Sequence, residues 1–234
     1  MDTFFITATG TDIGKTHIAA QLIGDLRAAS RDVAAFKPVV SGLDPDQLAE
    51  SDPGRLLTAL SQPVTEENVA HLSPWRFRAA LSPDMAAARE GREIPFEGLM
   101  EACRAARRAA PDILIVEGVG GLLAPVTKTH TVRDWMTALA VEGPLVPVLV
   151  AGSYLGTISH TLTTLEVMNA TGLTPAGLIL SESQVSPVPM EETRDALIRF
   201  GAGVPIALVP RAPQPAPDLA AFLAAFPATG LRRT

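Results

Sequence analysis

The chain has 234 residues, of which 47% are apolar and 19% are charged, and its formal net charge is −6. This length suits one large domain or two small ones, and the apolar fraction is that of a globular protein. The negative charge argues against a protein that coats DNA or RNA, so we expect no nucleic-acid partner. The single cysteine excludes a disulfide framework within the chain and indicates a reducing compartment.

The sequence carries no sign of a membrane protein. No apolar run approaches the roughly 18 residues that a membrane span requires, and the most apolar stretch, 144–151, is far shorter. The first ten residues have an acid at position 2 and no basic residue, unlike a secretory signal. We therefore expect a cytoplasmic protein with no membrane partner.

Short apolar segments alternate along the chain with segments of helical periodicity. In chain order we predict strand 3–7, helix 15–28, strand 32–36, helix 99–110, strand 112–116, helix 132–141, strand 145–150, helix 157–170, strand 176–180, helix 190–200, strand 205–209 and helix 218–226. The strands are apolar throughout, which indicates burial on both faces. The pattern predicts an α/β fold, a mostly parallel sheet with helices on both faces.

Residues 38–98 interrupt this alternation. They are rich in Pro, Ser and Asp, with short helices predicted near 52–60 and 83–89. We interpret them as an insertion packed over the carboxyl edge of the sheet, where open α/β sheets bind ligands. No Gly-Pro linker separates one part of the chain from another, so residues 1–234 are predicted to form a single domain.

The segment TGTDIGKT, residues 9–16, lies between the first strand and the first helix. It follows the phosphate-loop pattern Gly-x4-Gly-Lys-Ser/Thr, except that Thr9 occupies the first position and Gly10 comes one residue later. In such a loop Lys15 bridges the terminal phosphates and the Thr16 hydroxyl coordinates Mg²⁺. A plain strand-to-helix turn would also produce these letters, but the flanking strand and helix favour a P-loop NTPase-like fold.

Two charged residues stand at the ends of predicted strands. Glu117 ends a buried strand and precedes the glycine-rich turn 118–121. An acid at this position holds the metal in phosphate-loop enzymes, although a solvated strand-end acid is the alternative. Lys37 follows the second strand and would lie beside the phosphate loop, unless it is simply solvated.

Six motifs together, in this order, resemble the dethiobiotin synthetase family over most of the chain. They are the segments 5–16, 37–42, 50–52, 81–92, 116–122 and 155–160. The resemblance implies an ATP-dependent cyclo-ligase of biotin biosynthesis, which joins CO2 or bicarbonate to the two neighbouring amines of 7,8-diaminononanoate. The implied route passes through a carbamate and a carbamic-phosphoric anhydride to the ureido ring of dethiobiotin. The resemblance also implies a homodimer.

The same resemblance assigns roles to individual positions. It implies that the catalytic residues are Lys15, Lys37 and Thr11. It implies that Mg²⁺ is held by Thr16, Asp52 and Glu117. The substrate would contact Thr11, Lys37, Ser41, Gly156, Thr157 and Ile158. The nucleotide would contact Asp12, Ile13, Gly14, Lys15, Thr16, His17, Asp52, Glu117, Gly118, Val119, Gly120, Ser181, Glu182, Pro210, Arg211 and Ala212.

The chain departs from the family pattern at informative positions. Ala8 stands where the family often has Gly, and Gly10 where it often has an acidic or polar residue. Ser181 replaces an Asn that reads adenine, and its single hydroxyl cannot make the same two-point contact. We therefore expect that other nucleoside triphosphates, such as CTP, can stand in for ATP. Arg211 would either stack on the base or be solvated.

An alternative function is a nucleotide-dependent switch ATPase of the partitioning type. Members of that class share this fold, but their phosphate loop carries an additional lysine five residues before the usual one. This chain has Gly10 at that position. The switch ATPases also lack a segment that corresponds to 37–41 of this chain.

Cys103 lies on a predicted helix without a partner histidine and is interpreted as a packing residue.

Overall fold

The computed structural model describes residues 2–211 and 215–225. The elements in these ranges are β1 Asp2–Ala8, α1 Lys15–Ala28, β2 Val33–Phe36, β3 Val39–Ser41, a 3-10 helix Pro45–Glu50, α2 Asp52–Ala59, α3 Glu66–Leu72, β4 Trp75–Phe77, α4 Pro83–Arg89, α5 Phe96–Ala109, β5 Ile113–Glu117, α6 Val132–Glu142, β6 Val146–Gly152, α7 Thr157–Ala170, β7 Gly177–Ser181, α8 Met190–Arg199, β8 Ile206–Val209 and α9 Leu219–Ala224. All six predicted strands and the helices predicted between and after them are present, with ends displaced by a few residues at most.

Six strands form one sheet in the order β2-β5-β1-β6-β7-β8, and every neighbouring pair is parallel. Successive side chains of a strand point to opposite faces, so Phe5 packs in one core cluster and Ile6 in the other. Helices α5, α6, α7 and α8 contribute to the cluster of Phe5, whereas α1, α2 and α9 contribute to that of Ile6. The predicted α/β fold with helices on both faces is confirmed.

The strand order shows how Lys37 comes to lie beside the phosphate loop. Strand β5 lies between β2 and β1, so Lys37 follows a strand that is one position removed from the phosphate loop. The register pairs Phe36 with Val116 and Ile6 with Glu117. Because these strand ends are level, Lys37 and Glu117 leave the sheet side by side, and the lysine reaches the loop across the end of β5.

The insertion at 38–98 has more regular structure than its sequence suggested. The two predicted short helices are α2 and α4, but the 3-10 helix, α3 and the parallel pair β3-β4 were missed. Each of these missed elements has seven residues or fewer, which gives a weak periodicity, although α4, also seven residues long, was predicted.

Helix α2 is held at its start by close packing. The Ser51 hydroxyl caps it by accepting a hydrogen bond from the Gly54 amide at 3.2 Å. A side chain at Gly54 would be blocked, because a Cβ there would lie 2.0 Å from the Leu48 carbonyl oxygen. This packing fixes Asp52, the first residue of α2, at the edge of the sheet.

Across 2–211 and 215–225, none of the helices combines the length and the apolar character needed to cross a membrane.

Candidate active site

The loop between β1 and α1 has the backbone of an anion-binding turn. Asp12 has a φ of +56° and Gly14, which caps α1, has a φ of +99°. A Cβ at Gly14 would lie 2.8 Å from Ser181 Oγ, so glycine is required here for both conformation and space. Lys15 Nζ donates to the Gly10 carbonyl oxygen at 3.0 Å. The amides at the start of α1 are therefore available to a phosphate.

The glycine-rich turn after β5 packs directly against this loop. A Cβ at Gly121 would lie 3.2 Å from both the Cα and the amide nitrogen of Gly10. The Gly118 amide donates to the Ile6 carbonyl at 2.9 Å. The two turns thus meet backbone to backbone, which explains why glycines are needed on both sides.

A cluster of charges lies beside the loop, and all of it except the half-exposed Asp52 is buried. Lys37 and Glu117 have side chains that are only 3% and 1% exposed, and the Lys37 ammonium donates to Glu117 Oε1. Lys37 Nζ also lies 2.9 Å from Asp52 Oδ2. The Thr16 hydroxyl donates to the same Glu117 oxygen at 2.7 Å. The sheet, α1 and the insertion therefore each contribute a side chain to one cluster.

The two site lysines have opposite electrostatic environments. Burial, together with the nearby charge of Lys37, lowers the pKa of Lys15 to about 8. Burial also acts to lower the pKa of Lys37, but the carboxylates of Glu117 and Asp52 outweigh it and raise that pKa above its ordinary value. Burial opposes the ionised form of Asp52, yet Lys37 lowers the pKa of that carboxyl. Lys37 is therefore firmly cationic, and Lys15 loses its proton more readily.

Thr16, Asp52 and Glu117 are a donor set that fits Mg²⁺. This ion is commonly bound by one or two carboxylates and completes its shell with water and substrate phosphates. Glu117 Oε2 is buried and accepts no hydrogen bond from the described residues. Within 2–211 and 215–225, no three His, Cys, Asp or Glu side chains form a site that protein alone would complete. The arrangement suits an ion that arrives with a phosphate.

A cavity of about 720 Å³ opens over this cluster. The predicted site residues that line it are Thr11, Asp12, Ile13, Gly14, Lys15, Thr16, His17, Lys37, Ser41, Asp52, Glu117, Val119 and Gly120. A second cavity of about 420 Å³ shares Thr11 and Ala124 with the first and extends to His160. The two cavities are therefore adjacent, and between them they reach from the phosphate loop to α7.

The insertion adds wall residues that the sequence did not single out as site residues. Arg55, Ser82 and Pro83 line the main cavity. Arg55 lies three residues after Asp52 on α2, so helical spacing from a candidate metal ligand was the signal for it. Ser82 and Pro83 lie within the motif 81–92, which had been assigned no role in the site.

The predicted base-contacting residues lie outside the main cavity, at the carboxyl ends of β7 and β8. Ser181 faces Gly14, which connects this group to the phosphate loop. A carboxylate oxygen of Glu182 accepts a hydrogen bond from the Arg211 amide at 2.8 Å, so Glu182 holds the turn of Pro210 and Arg211 in place. Ala212 lies outside the described residues. Gly118, also predicted, is buried beneath the turn.

The turn that begins α7 holds Gly156, Thr157 and Ile158. Gly156 caps the helix with a φ of +97°, and the Thr157 hydroxyl donates to the Gly152 carbonyl at 2.5 Å. His160 lines the second cavity, and its Nδ1 lies 2.8 Å from the Tyr154 hydroxyl. Gly156, Thr157 and Ile158 themselves line neither cavity, because the second cavity meets α7 further along, at His160, Thr163, Thr164 and Val167.

Several solved structures share this fold at low sequence identity. A ParA family ATPase from Chlorobium tepidum superposes with a TM-score of 0.52 and 14% sequence identity, over 96% of each chain. The MinC:MinD cell division protein complex of Aquifex aeolicus gives a TM-score of 0.52 at 12% identity, over 96% of this chain and 86% of the other. At these identities the likeness shows the fold alone, that of a P-loop NTPase.

Sequence relatives are much nearer. A family model described as an AAA domain matches residues 2–217. The ATP-dependent dethiobiotin synthetase BioD of Acidiphilium cryptum is 50% identical over 206 residues, which cover 88% of this chain and 91% of the relative. The enzyme of the same name from Caulobacter sp. is 44% identical over 212 residues, covering 90% and 89%. The chain therefore belongs to the family of ATP-dependent dethiobiotin synthetases.

Proposed function

We propose that this protein is an ATP-dependent cyclo-ligase that joins CO2 to the two neighbouring amines of 7,8-diaminononanoate, forming the ureido ring of dethiobiotin in biotin biosynthesis. The observation that carries the proposal is the convergence of Lys37, Glu117 and Asp52 beside Lys15 and the phosphate loop. A lysine that is buried between two carboxylates at a phosphate site suits a reaction between an anionic substrate and a triphosphate.

The chemistry divides into three steps. One amine of the diamine combines with CO2 and loses a proton, giving a carbamate. A carbamate oxygen attacks the γ-phosphorus of ATP and ADP leaves, which gives a carbamic-phosphoric anhydride. The second amine attacks the carbonyl carbon, expels phosphate and closes the five-membered ring. Phosphoryl transfer of this kind depends mainly on positioning and on neutralising negative charge.

Lys15 and Lys37 supply the positive charge in this scheme. Both line the main cavity, and their ammonium groups would flank the γ-phosphate and the carbamate. Thr11 and Ser41 would contact the diamine or carbamate. Ser41 Oγ supports this role because it is buried and makes no hydrogen bond to any residue in the described ranges. Thr11 supports it because it lines both cavities.

Thr16, Asp52 and Glu117 would hold Mg²⁺, which when bound draws the phosphates together and offsets their charge. The remaining loop residues would contact the phosphates through backbone amides. These residues are Asp12, Ile13, Gly14, His17, Val119 and Gly120, whereas the amide of Gly118, also predicted to contact the nucleotide, already donates to the Ile6 carbonyl.

The base would lie against Ser181, Glu182, Pro210 and Arg211. A serine hydroxyl offers one donor and cannot pair with two positions of a purine as an amide can. We infer that the enzyme accepts CTP as well as ATP.

The tail of the substrate would follow the second cavity to α7. The amides of Gly156, Thr157 and Ile158 would receive its carboxylate at the helix N-terminus. Leu155 is 87% exposed and Leu123, which lines the second cavity, is 49% exposed. We infer that a second copy of the chain covers this apolar surface, giving a homodimer.

Sedimentation velocity tests the dimer. Leu155→Glu is expected to shift the protein towards monomer, whereas Val141→Glu, at a comparably exposed apolar residue on α6, leaves the dimer unchanged. The inference would be contradicted if the wild-type protein sedimented as a monomer at tens of micromolar, a concentration of roughly the dissociation constant of a weak dimer.

We also infer that the enzyme works in the cytoplasm and that the whole chain forms one domain with an insertion at 38–98.

Mass spectrometry of the product tests the function itself. The protein is incubated with 7,8-diaminononanoate, ¹³C-labelled bicarbonate, Mg²⁺ and either ATP or CTP. The proposal predicts dethiobiotin that carries one ¹³C atom with both nucleotides, and no product when the diamine or the nucleotide is omitted. Absence of labelled dethiobiotin with every nucleotide would overturn it.

A further inference from the structure

Lys37 lies between the two carboxylates that would hold a metal ion. Its ammonium contacts both Glu117 Oε1 and Asp52 Oδ2, the two carboxylates of the candidate Mg²⁺ set. Resting on the proposed function, we propose that Lys37 is a cationic placeholder: it occupies the metal position in the nucleotide-free enzyme and leaves when Mg²⁺ arrives with the nucleotide.

Lys37 and a divalent ion cannot share these ligands as they stand. Glu117 Oε1 already accepts hydrogen bonds from Lys37 and from the Thr16 hydroxyl. Thr16, Asp52 and Glu117 would hold the ion, and even an ion that used the free Glu117 Oε2 would lie beside the ammonium, which contacts both carboxylates. If the ammonium stayed in place, it would face a dication across a few ångströms of buried space, where like charges repel strongly. Binding of the ion therefore requires the ammonium to move.

The backbone of Lys37 is fixed, so only its side chain can move. The Lys37 amide donates to the Leu72 carbonyl at 3.2 Å, and the Ser73 hydroxyl donates to the Lys37 carbonyl at 2.6 Å. Lys37 lines the main cavity, and its four-carbon stem allows the ammonium to turn towards an anion held there. The phosphates of a nucleotide provide that anion and add ligands for the metal.

The exchange leaves no buried charge unpaired. Without nucleotide, Lys37 pairs with the buried Glu117 and with the half-exposed Asp52. With nucleotide, the metal would pair with the two carboxylates, and Lys37 would pair with phosphate or carbamate. An uncompensated buried charge is strongly destabilising, so the two exchanges must occur together. Loading of the metal thereby releases the lysine that the reaction requires.

Mn²⁺ binding without nucleotide tests the placeholder directly. Electron paramagnetic resonance of added Mn²⁺ gives the dissociation constant for wild type, Lys37→Met and the control Lys128→Met, which alters an exposed lysine. Removal of the competing cation is expected to tighten Mn²⁺ binding by about tenfold or more in Lys37→Met only. The double variant Lys37→Met/Glu117→Gln should lose this gain. Equal affinity in wild type and a folded Lys37→Met would overturn the proposal.

A measurement on the wild-type protein removes any dependence on the folding of the variant. The chain has three lysines, Lys15, Lys37 and Lys128. With ¹³Cε-labelled lysine, NMR should show the Lys37 signal unchanged by Mg²⁺ alone and displaced by Mg²⁺ with the non-hydrolysable analogue AMP-PCP. A Lys37 signal that stays in place while the Lys15 signal moves would equally overturn the proposal.

The placeholder role of Lys37 and the proposed ring-closing function can be refuted independently. The Mn²⁺ comparison contains neither nucleotide nor diamine, so a negative result there leaves ring closure intact. Absence of labelled dethiobiotin in the product assay overturns the function and leaves the metal comparison interpretable.

Discussion

Lys37 and Glu117 form a buried ion pair because they directly follow two residues that pair across neighbouring strands. Phe36 of β2 lies opposite Val116 of β5, so the chain delivers the next residue of one strand beside the last residue of the other. Asp52, at the start of α2, contacts the Lys37 ammonium from the insertion. The register of a parallel sheet thus sets the position of a group proposed to act on substrate.

Replacement of Lys37 by glutamine should abolish turnover while nucleotide binding is retained. Removal of one preorganised charge that stabilises a transition state typically costs about 10²–10³ in kcat, and we expect at least this loss. The dissociation constant for ATP should change by less than about tenfold, since Lys15 and the loop amides remain. Steady-state kinetics and calorimetric titration measure the two quantities.

Lys128→Gln is the matched control for this variant, because it removes an exposed lysine outside both cavities. It should retain wild-type kcat. Full activity in Lys37→Gln would remove Lys37 from the mechanism.

Two glycines at and within α1 should respond oppositely to substitution by alanine. Gly14 has a positive φ and a Cβ there would meet Ser181 Oγ, so Gly14→Ala should lower the free energy of unfolding by roughly 1–3 kcal/mol and weaken nucleotide binding. Gly24 is exposed on the same helix, and a Cβ there meets no atom within 4 Å. Gly24→Ala should raise the free energy of unfolding by about 0.5–1 kcal/mol.

Urea unfolding of both variants, with nucleotide titrations in parallel, measures these changes. If Gly14→Ala were as stable as wild type and bound ATP normally, the tight turn described here would be wrong.

Much of the fold could be predicted from local pattern. The helix at 15–28 has the predicted bounds, since its apolar spacing and the preceding glycine mark both the face and the start. The six core strands were equally clear, because each is a short, continuously apolar run. In the insertion, elements such as the parallel pair β3-β4 were too short to leave a period.

The candidate site was predicted in its parts but not in its arrangement. The sequence placed Lys37 and Glu117 at strand ends, yet only the strand order β2-β5-β1 shows that they are neighbours. Strand order depends on contacts between residues that are far apart in the chain. Lys37 and Glu117 are separated by 80 positions. Arg55 lines the same cavity, and its helical spacing from Asp52 on α2 was a local signal that could have identified it.

Cys103 should be unreactive in the folded protein. Burial raises the pKa of its thiol to about 12, so the reactive thiolate is scarce at pH 8.5 and becomes abundant only near pH 12. Iodoacetamide labelling at pH 8.5, followed by intact mass, should proceed at least about 10³-fold more slowly than in urea-unfolded protein, where the pKa is near 8.5. Equal rates in the folded and unfolded states would show that Cys103 is not part of the core.

Phosphate release under four conditions tests the central claim most directly. The protein is given ATP and Mg²⁺ alone, with the diamine, with bicarbonate, or with both, and inorganic phosphate is followed over time. If the enzyme forms its carbamic-phosphoric anhydride on a carbamate, phosphate should be released rapidly only when diamine and bicarbonate are both present. Release at the same rate with nucleotide alone would contradict this account and favour a nucleotide switch.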